Sequence, residues 1–295
     1  MKYARKLREK QISEVRIYDV DTGTDELVFR STELLLEAPN WHREDFLVLN
    51  GDGVLWRLDL TQLSLAQLRV SGLPELNNDH VLAPDHEDIY LSACEPFLIY
   101  RASVKGGEAI QITSHENPGL HFLHGVSPDG RELAYVCLDD KAPDPFSSGR
   151  IHLFDLATRT NRVLVNGSGP EDGSEYSLDG NWIYFNSEHF SRKPGHAQIA
   201  RVKRDGAEFT QLTFDERVNW FPHASSCGRY WVYLSYPEGT VGHPADLPVE
   251  LRLVEGDNWS EAKTVVSLHG GQGTINVNSW SPHRSKFAYV SYPSE

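Results

Sequence analysis

The chain has 295 residues, 28 Lys and Arg against 42 Asp and Glu, a formal net charge of −14 and a mean hydropathy of −0.45. An acidic balance of this size repels phosphate backbones and anionic headgroups, which argues against nucleic-acid and membrane-surface binding. No run of apolar residues is long enough for a spanning helix. Cys94, Cys137 and Cys227 are scattered and form no CxxC, so neither a disulfide framework nor a structural zinc site is expected.

Residues 1–13 carry Lys2, Arg5, Lys6, Arg8 and Lys10 but no apolar run and no small-residue cleavage site. They read as a flexible, solvated tail, and the chain as cytoplasmic; a leader already removed would make it periplasmic. The sequons at Asn166 and Asn258 matter only in the second case. Next come two short strands, EVRIYDV and ELVFR, joined by a turn at Asp21-Thr22-Gly23 and lacking a partner nearby.

From there a tight turn recurs: HRED at His42, APDH at Ala83, SPDG at Ser127, SLDG at Ser177, SSCG at Ser225 and SPHR at Ser281. In the fullest copy Pro presets φ, Asp bonds back to the backbone and Gly accepts a positive φ. After these turns come runs such as LAYV, WIYF, YWVYL and KFAYV, which read as strands buried on both faces. Two further strands complete a unit, as in RIHLFDL with RVLV or QIARV with FTQLT. A spacing of roughly 40–50 residues with several short strands per unit is the mark of propeller blades.

After Ser281 there is room for only two strands, around INVNSW and KFAYVSY. The two unpartnered N-terminal strands supply the rest. The expectation is therefore an all-β, six-bladed propeller of four antiparallel strands per blade, one domain over residues 1–295, closed by its N-terminal strands. Seven blades would require a degenerate one between Ser225 and Ser281.

The repeats NWFPHASSCGRYWVYLSYP, HGVSPDGRELAYV and INVNSWSPHRSKFAYVSYP resemble the WD40-like repeats of the TolB β-propeller, over roughly residues 14–295. They are also similar to bacterial propellers that consist of this domain alone. TolB is a periplasmic protein of the Tol–Pal envelope system with an α/β domain before its propeller. The resemblance therefore implies a six-bladed fold and, as one expectation, an envelope-associated transport role. Related propellers in oligogalacturonate lyase and prolyl-oligopeptidase-type enzymes imply two other uses, metal-assisted elimination and gating of a hydrolase. No GxSxG elbow is present here.

In a propeller the first strand of each blade lines the channel, so residues just before each turn are expected to meet in one funnel. These are Asn40; Asn77, Asn78, Asp79 and His80; His121 and His124; Glu171, Asp172 and Glu175; Asn219 and His223; and Asn276 and Asn278. Long second-to-third-strand loops at residues 138–150, 187–198 and 236–248 overhang the same face. A divalent metal, the one cofactor considered, would fall to His80, His124 and His223, with Glu175 as oxygen donor or base. The glycine-rich stretches at residues 166–173 and 269–274 precede no helix and lack the P-loop lysine, so they read as connections. Trp182, Tyr184, Trp231 and Tyr233 alternate within strands and read as core rather than as a sugar platform.

The preferred expectation is a non-catalytic module binding a protein or other polymer on the funnel face, without a cofactor and without inserting into a membrane. The alternative is an enzyme or sensor for a small polar or carbohydrate ligand, possible metal included. The oligomeric state is left open.

Overall fold

The structure is a computed structural model that describes residues 4–165 and 169–294. Lys2 of the basic tail and the sequon Asn166-Gly167-Ser168 lie outside the described residues. Six antiparallel blades stand around one axis. Blade one is Leu36–His42, Phe46–Gly51, Val54–Asp59 and Ser64–Gln67, inner to outer; blade two is Leu76–Leu82, Asp88–Ala93, Ile99–Ser103 and Ile110–Gln111. Blade three is Leu120–Val126, Glu132–Leu138, Arg150–Asp155 and Asn161–Val163, and blade four Glu171–Tyr176, Trp182–Ser187, Gln198–Lys203 and Thr210–Gln211. Blade five is Val218–Ala224, Tyr230–Tyr236, Leu247–Glu255 and Lys263–Gly270. The long interval before Ser281 thus holds two lengthened outer strands, and no seventh blade.

The termini share the sixth blade. Ser13–Asp19 pairs antiparallel with Lys286–Ser291, from Glu14 opposite Ser291 to Asp19 opposite Lys286, and Thr24–Ser31 lies outside it. The innermost segment, residues 274–280, is irregular but bonds through Val290 N–H to Thr274 O (3.0 Å), Ala288 N–H to Ser279 O (3.1 Å) and a Trp280–Phe287 bridge. Closure of this kind ties the two ends of the chain into one sheet and holds the ring shut. Apolar clusters fill the spaces between neighbouring blades, for example Val15, Leu36, Trp41, Leu47 and Val290 between blades six and one. Among the described residues no helix is long and apolar enough to cross a membrane.

The recurrent turn works as its residues imply. Gly130 N–H reaches Ser127 O at 2.8 Å, and Ser127 Oγ accepts the Glu132 N–H at 2.9 Å. Gly130 sits at φ 68°; His86 and Asp45 take the equivalent place in the worn copies at φ 59° and 54°.

The N-terminal tail is a correction. Residues 4–12 are not a free solvated arm but a strap lying on the ring: Ala4 N–H bonds Glu75 Oε1 (2.6 Å), Arg5 bonds Glu37, Arg8 pairs with Asp246 and Ile12 N–H bonds Pro293 O. Basic side chains on an acidic ring find carboxylates within reach, which a hydropathy reading of the tail does not register.

Candidate functional site

Each fully assigned inner strand breaks register a few residues before its turn, between Glu37 and Asn40, Leu76 and His80, Leu123 and Gly125, Asp172 and Glu175, and Trp220 and His223. These bulges turn polar side chains toward the axis. At the bulge of blade four Gly173 takes φ 64°, and an added Cβ would stand 2.7 Å from Asn186 Oδ1 and 2.8 Å from the Phe221 ring. Phe221 occupies the same place in blade five at φ 55°, held by its N–H to Asn186 Oδ1 at 3.2 Å.

The polar residues of the channel divide into two layers. The lower layer, toward the turns, is closed upon itself. His223 Nδ1 contacts Glu175 Oε2 at 2.6 Å and its Nε2 contacts Ile275 O at 2.8 Å. Glu175 Oε1 accepts from Ala224 N–H and Asn278 Nδ2, each at 2.7 Å. Asn40 donates to Asn278 O (2.9 Å) and accepts from His80 Nδ1 (2.8 Å). His80 Nε2 has no hydrogen-bond partner, and burial lowers that imidazole to about 3, so it is neutral. Beneath lies a cavity of about 310 Å³ edged by Trp41, Pro84, Pro128, Leu178 and Pro282.

The upper layer faces the funnel. His124 Nε2 lies 2.9 Å from Asp172 Oδ1 and 4.0 Å from Asp79 Oδ1, and His243 Nε2 lies 3.5 Å from Asp172 Oδ2. Burial alone would lower His124, but Asp79 and Asp172 outweigh it and hold the imidazole up at about 9. His243 is raised in the same sense against its own burial, chiefly by Asp172. Asp172 is driven well below the usual carboxylate range by these two imidazoles despite burial, whereas burial raises Asp79. The network continues from His243 Nδ1 to Gln272 Oε1 (2.5 Å), from Gln272 Nε2 to Asn78 Oδ1 (3.1 Å) and from Asn78 Nδ2 to Glu37 Oε1 (3.1 Å). Asn276 Nδ2 also donates to Gln272 Oε1, and Asn77 Nδ2 to Asp79 Oδ2, each at 2.9 Å.

Above this floor opens a cavity of about 460 Å³ whose wall is apolar: Phe97, Leu120, Phe122 and Phe221, with Phe146 at the rim. Phe146 sits on a single 3₁₀ turn, Pro145–Ser148, of the long blade-three loop and is 67% exposed.

The single funnel expected from sequence is therefore two layers. Asn77, Asn78, Asp79, His124, Asp172 and Asn276 belong to the upper one, Asn40, His80, Glu175, His223 and Asn278 to the lower. His121 and Asn219 belong to neither. His121 contacts Thr113 Oγ1 at 2.9 Å and packs edge-on against Tyr135; Asn219 donates to Asp215, in the connection from blade four, and accepts from Ser235 of blade five. Both stand six residues before their turns, where the side chain points sideways rather than to the axis, as does that of Glu171; Asn77, at the same offset, lies within the longer blade-two bulge and lines the funnel instead. His80, His124 and His223 do not form a ligand set: among the described residues no three His, Cys, Asp or Glu side chains converge in metal-holding geometry. His223 has both ring nitrogens within hydrogen-bond distance of acceptors, Glu175 Oε2 and Ile275 O, and His124 Nε2 lies against Asp172 Oδ1.

Four residues of the upper layer were missed. Glu37 has the same offset from its turn as Asn78, Asp172 and Asn276, so the repeat alignment contained it. His243 lies in a long loop already placed on this face, and Gln272 in the glycine-rich connection into blade six. Arg5, from the strap, carried no signal beyond its charge.

No protein-family profile matches the chain. An uncharacterised protein of Agrobacterium fabrum is 35% identical over 285 residues, 95% of this chain and 92% of that one. A solved structure from Agrobacterium tumefaciens with a provisional TolB designation superposes with a TM-score of 0.87 at 34% identity, over 97% of this chain and 99% of that one. The chain belongs to the TolB-like propellers. Acinetobacter baumannii TolB shares the fold with this TolB-like propeller at a TM-score of 0.64 and 16% identity, 91% of this chain matching 66% of that one. Oligogalacturonate lyase in complex with manganese does so at 0.55 and 14%, over 91% of this chain and 75% of that one, a likeness of fold alone.

Proposed function

We propose that this TolB-like propeller is a non-catalytic binding module that receives a protein segment in its funnel, one apolar side chain of the segment resting against Phe97, Leu120, Phe122 and Phe146. The observation that carries this reading is the contrast between floor and wall. The floor pairs Asp79 and Asp172 with His124 and His243, so its charges are matched from within and offer little to a free ion. The wall is apolar, and Phe146 is left in water at its edge. Burying one aromatic or large aliphatic side chain there is worth about 1.5–3 kcal/mol, roughly 10- to 100-fold in affinity.

Selection from a displayed library of random peptides tests it. Enriched peptides should share an apolar anchor and lose about tenfold or more in affinity against Phe146→Asp and Phe122→Ala. Failure to enrich any sequence, or enrichment indifferent to both substitutions, overturns the reading.

A further inference from the structure

Lys6, Arg8, Glu9 and Lys10 of the strap are exposed, yet Arg5 reaches down into the funnel rim. Arg5 Nη1 donates to Glu37 Oε1 at 2.7 Å and to the Gln272 carbonyl at 2.5 Å. Its Nη2 lies 3.5 Å from Asp246 Oδ1, and the guanidinium stands over the Tyr292 ring, 5.0 Å from its centroid. Two carboxylates, a carbonyl and an aromatic face around one planar cation suit a guanidinium better than an ammonium. The Glu37 and Asp246 side chains are only 6% and 7% exposed, so neither can be left without a cation at small cost.

The strap is anchored at its C-terminal end, where Gln11 and Ile12 are buried, but residues 4–10 are weakly held. Leu7 packs against the core between blades six and one, and the ties of its neighbours are polar: Ala4 to Glu75, Lys6 to Asp52 and Arg8 to Asp246. A segment with few apolar contacts and exposed ion pairs opens locally at far less cost than the ring unfolds. A buried cation site beneath a removable strap is a site with a resident guest.

We propose that Glu37, Asp246, the Gln272 carbonyl and the Tyr292 ring form an arginine subsite on the funnel rim, filled by Arg5 and open to an arginine of a bound peptide when the strap lifts. The inference rests on the funnel reading above and deepens it, since it specifies a partner segment with an arginine beside its apolar anchor. Exchange of the guest is felt on the floor, because Glu37 also accepts from Asn78, and Gln272 holds His243.

The test uses the full chain carrying Arg5→Ala and two synthetic peptides, MKYARKLREK and the same peptide with alanine at its first arginine. Calorimetric titration should show the arginine peptide binding the variant about tenfold or more tightly than it binds the wild type, and about tenfold or more tightly than the alanine peptide binds the variant. Adding Glu37→Gln should abolish that preference. Equal binding to wild type and Arg5→Ala, or equal binding of the two peptides, overturns the proposal. Should Arg5→Ala be poorly folded, its melting temperature in methylguanidinium and in methylammonium decides instead: only the former should raise it, and equal effects refute an arginine site. None of these changes touches Phe122 or Phe146. Loss of the arginine preference with the Phe146→Asp effect intact would therefore remove the subsite and leave the funnel reading standing.

Discussion

Glu171 gives the sharpest quantitative prediction. Its carboxyl is buried between blades three and four; Oε2 accepts the Ile151 N–H at 3.3 Å and Oε1 has no hydrogen-bond partner. Burial raises it to about 7, against the opposing Ile151 hydrogen bond and the Arg150 charge. The folded chain thus keeps a proton that the unfolded chain has released above pH 4.5. The stabilisation is complete below pH 4.5, declines as pH rises and is lost once pH passes 7. The shift corresponds to about 3 kcal/mol over that window. Glu171→Gln keeps the shape of the neutral acid and cannot ionise, so it should match the wild type near pH 4.5 and exceed it by up to about 3 kcal/mol at pH 8. Urea unfolding of both chains across this range measures the difference. Other titrations, such as those of buried His80 and His121, are common to both chains and cancel. A difference that does not vary with pH, or a wild type that gains on the variant as pH rises, would refute the burial account.

Three further changes follow from the channel. Asp172→Asn takes away the carboxylate 2.9 Å from His124, so the imidazole midpoint should fall from about 9 by roughly one unit or more, read from its ring-proton shifts; a midpoint unmoved would show that Asp172 does not hold the proton. Glu175→Ala strands His223, the Ala224 N–H and the Asn278 amide together and should cost about 3–5 kcal/mol in urea unfolding; a loss under 1 kcal/mol would mean that water replaces the carboxylate without penalty. Gly173→Ala places a Cβ against Asn186 and Phe221 at a positive φ, so a lowered melting temperature is expected, by more than the same substitution at Gly239, where nothing lies near.

The architecture was legible because its repeat is a local signal. Ser, Pro, Asp and Gly fix a turn within four residues, and each turn dictates where the next strand starts; ring closure then follows from counting strands left over at the two ends. The irregular inner segment of blade six was not legible as such. Asn276 and Asn278 read as part of a strand, but Asn276 Oδ1 accepts the Gly273 N–H at 2.8 Å and the Asn278 side chain bonds the Trp280 N–H, so side chains take over the backbone's bonding there.

The site was legible only in part, because polarity says that a side chain needs a partner and not where the partner stands. His121, Glu171 and Asn219 meet their partners off the axis, whereas Asp172, the next residue after Glu171, meets His124 at the axis. One position along a strand reverses the face, and the bulge shifts that alternation within a few residues of the turn. A count of polar residues before the turn thus mixes inter-blade pairs with channel pairs and overstates the polarity of the funnel. Once the channel pairs are matched, Asp79 and Asp172 against His124 and His243, what the funnel wall leaves open is its phenylalanines, together with a rim whose carboxylates Glu37 and Asp246 are met by Arg5 and Arg8 of the chain's own strap. His124, a ligand candidate by sequence, and His243, which was not one, together match the carboxylates of the floor, so an apolar group placed on it would strip no water from an unpaired charge.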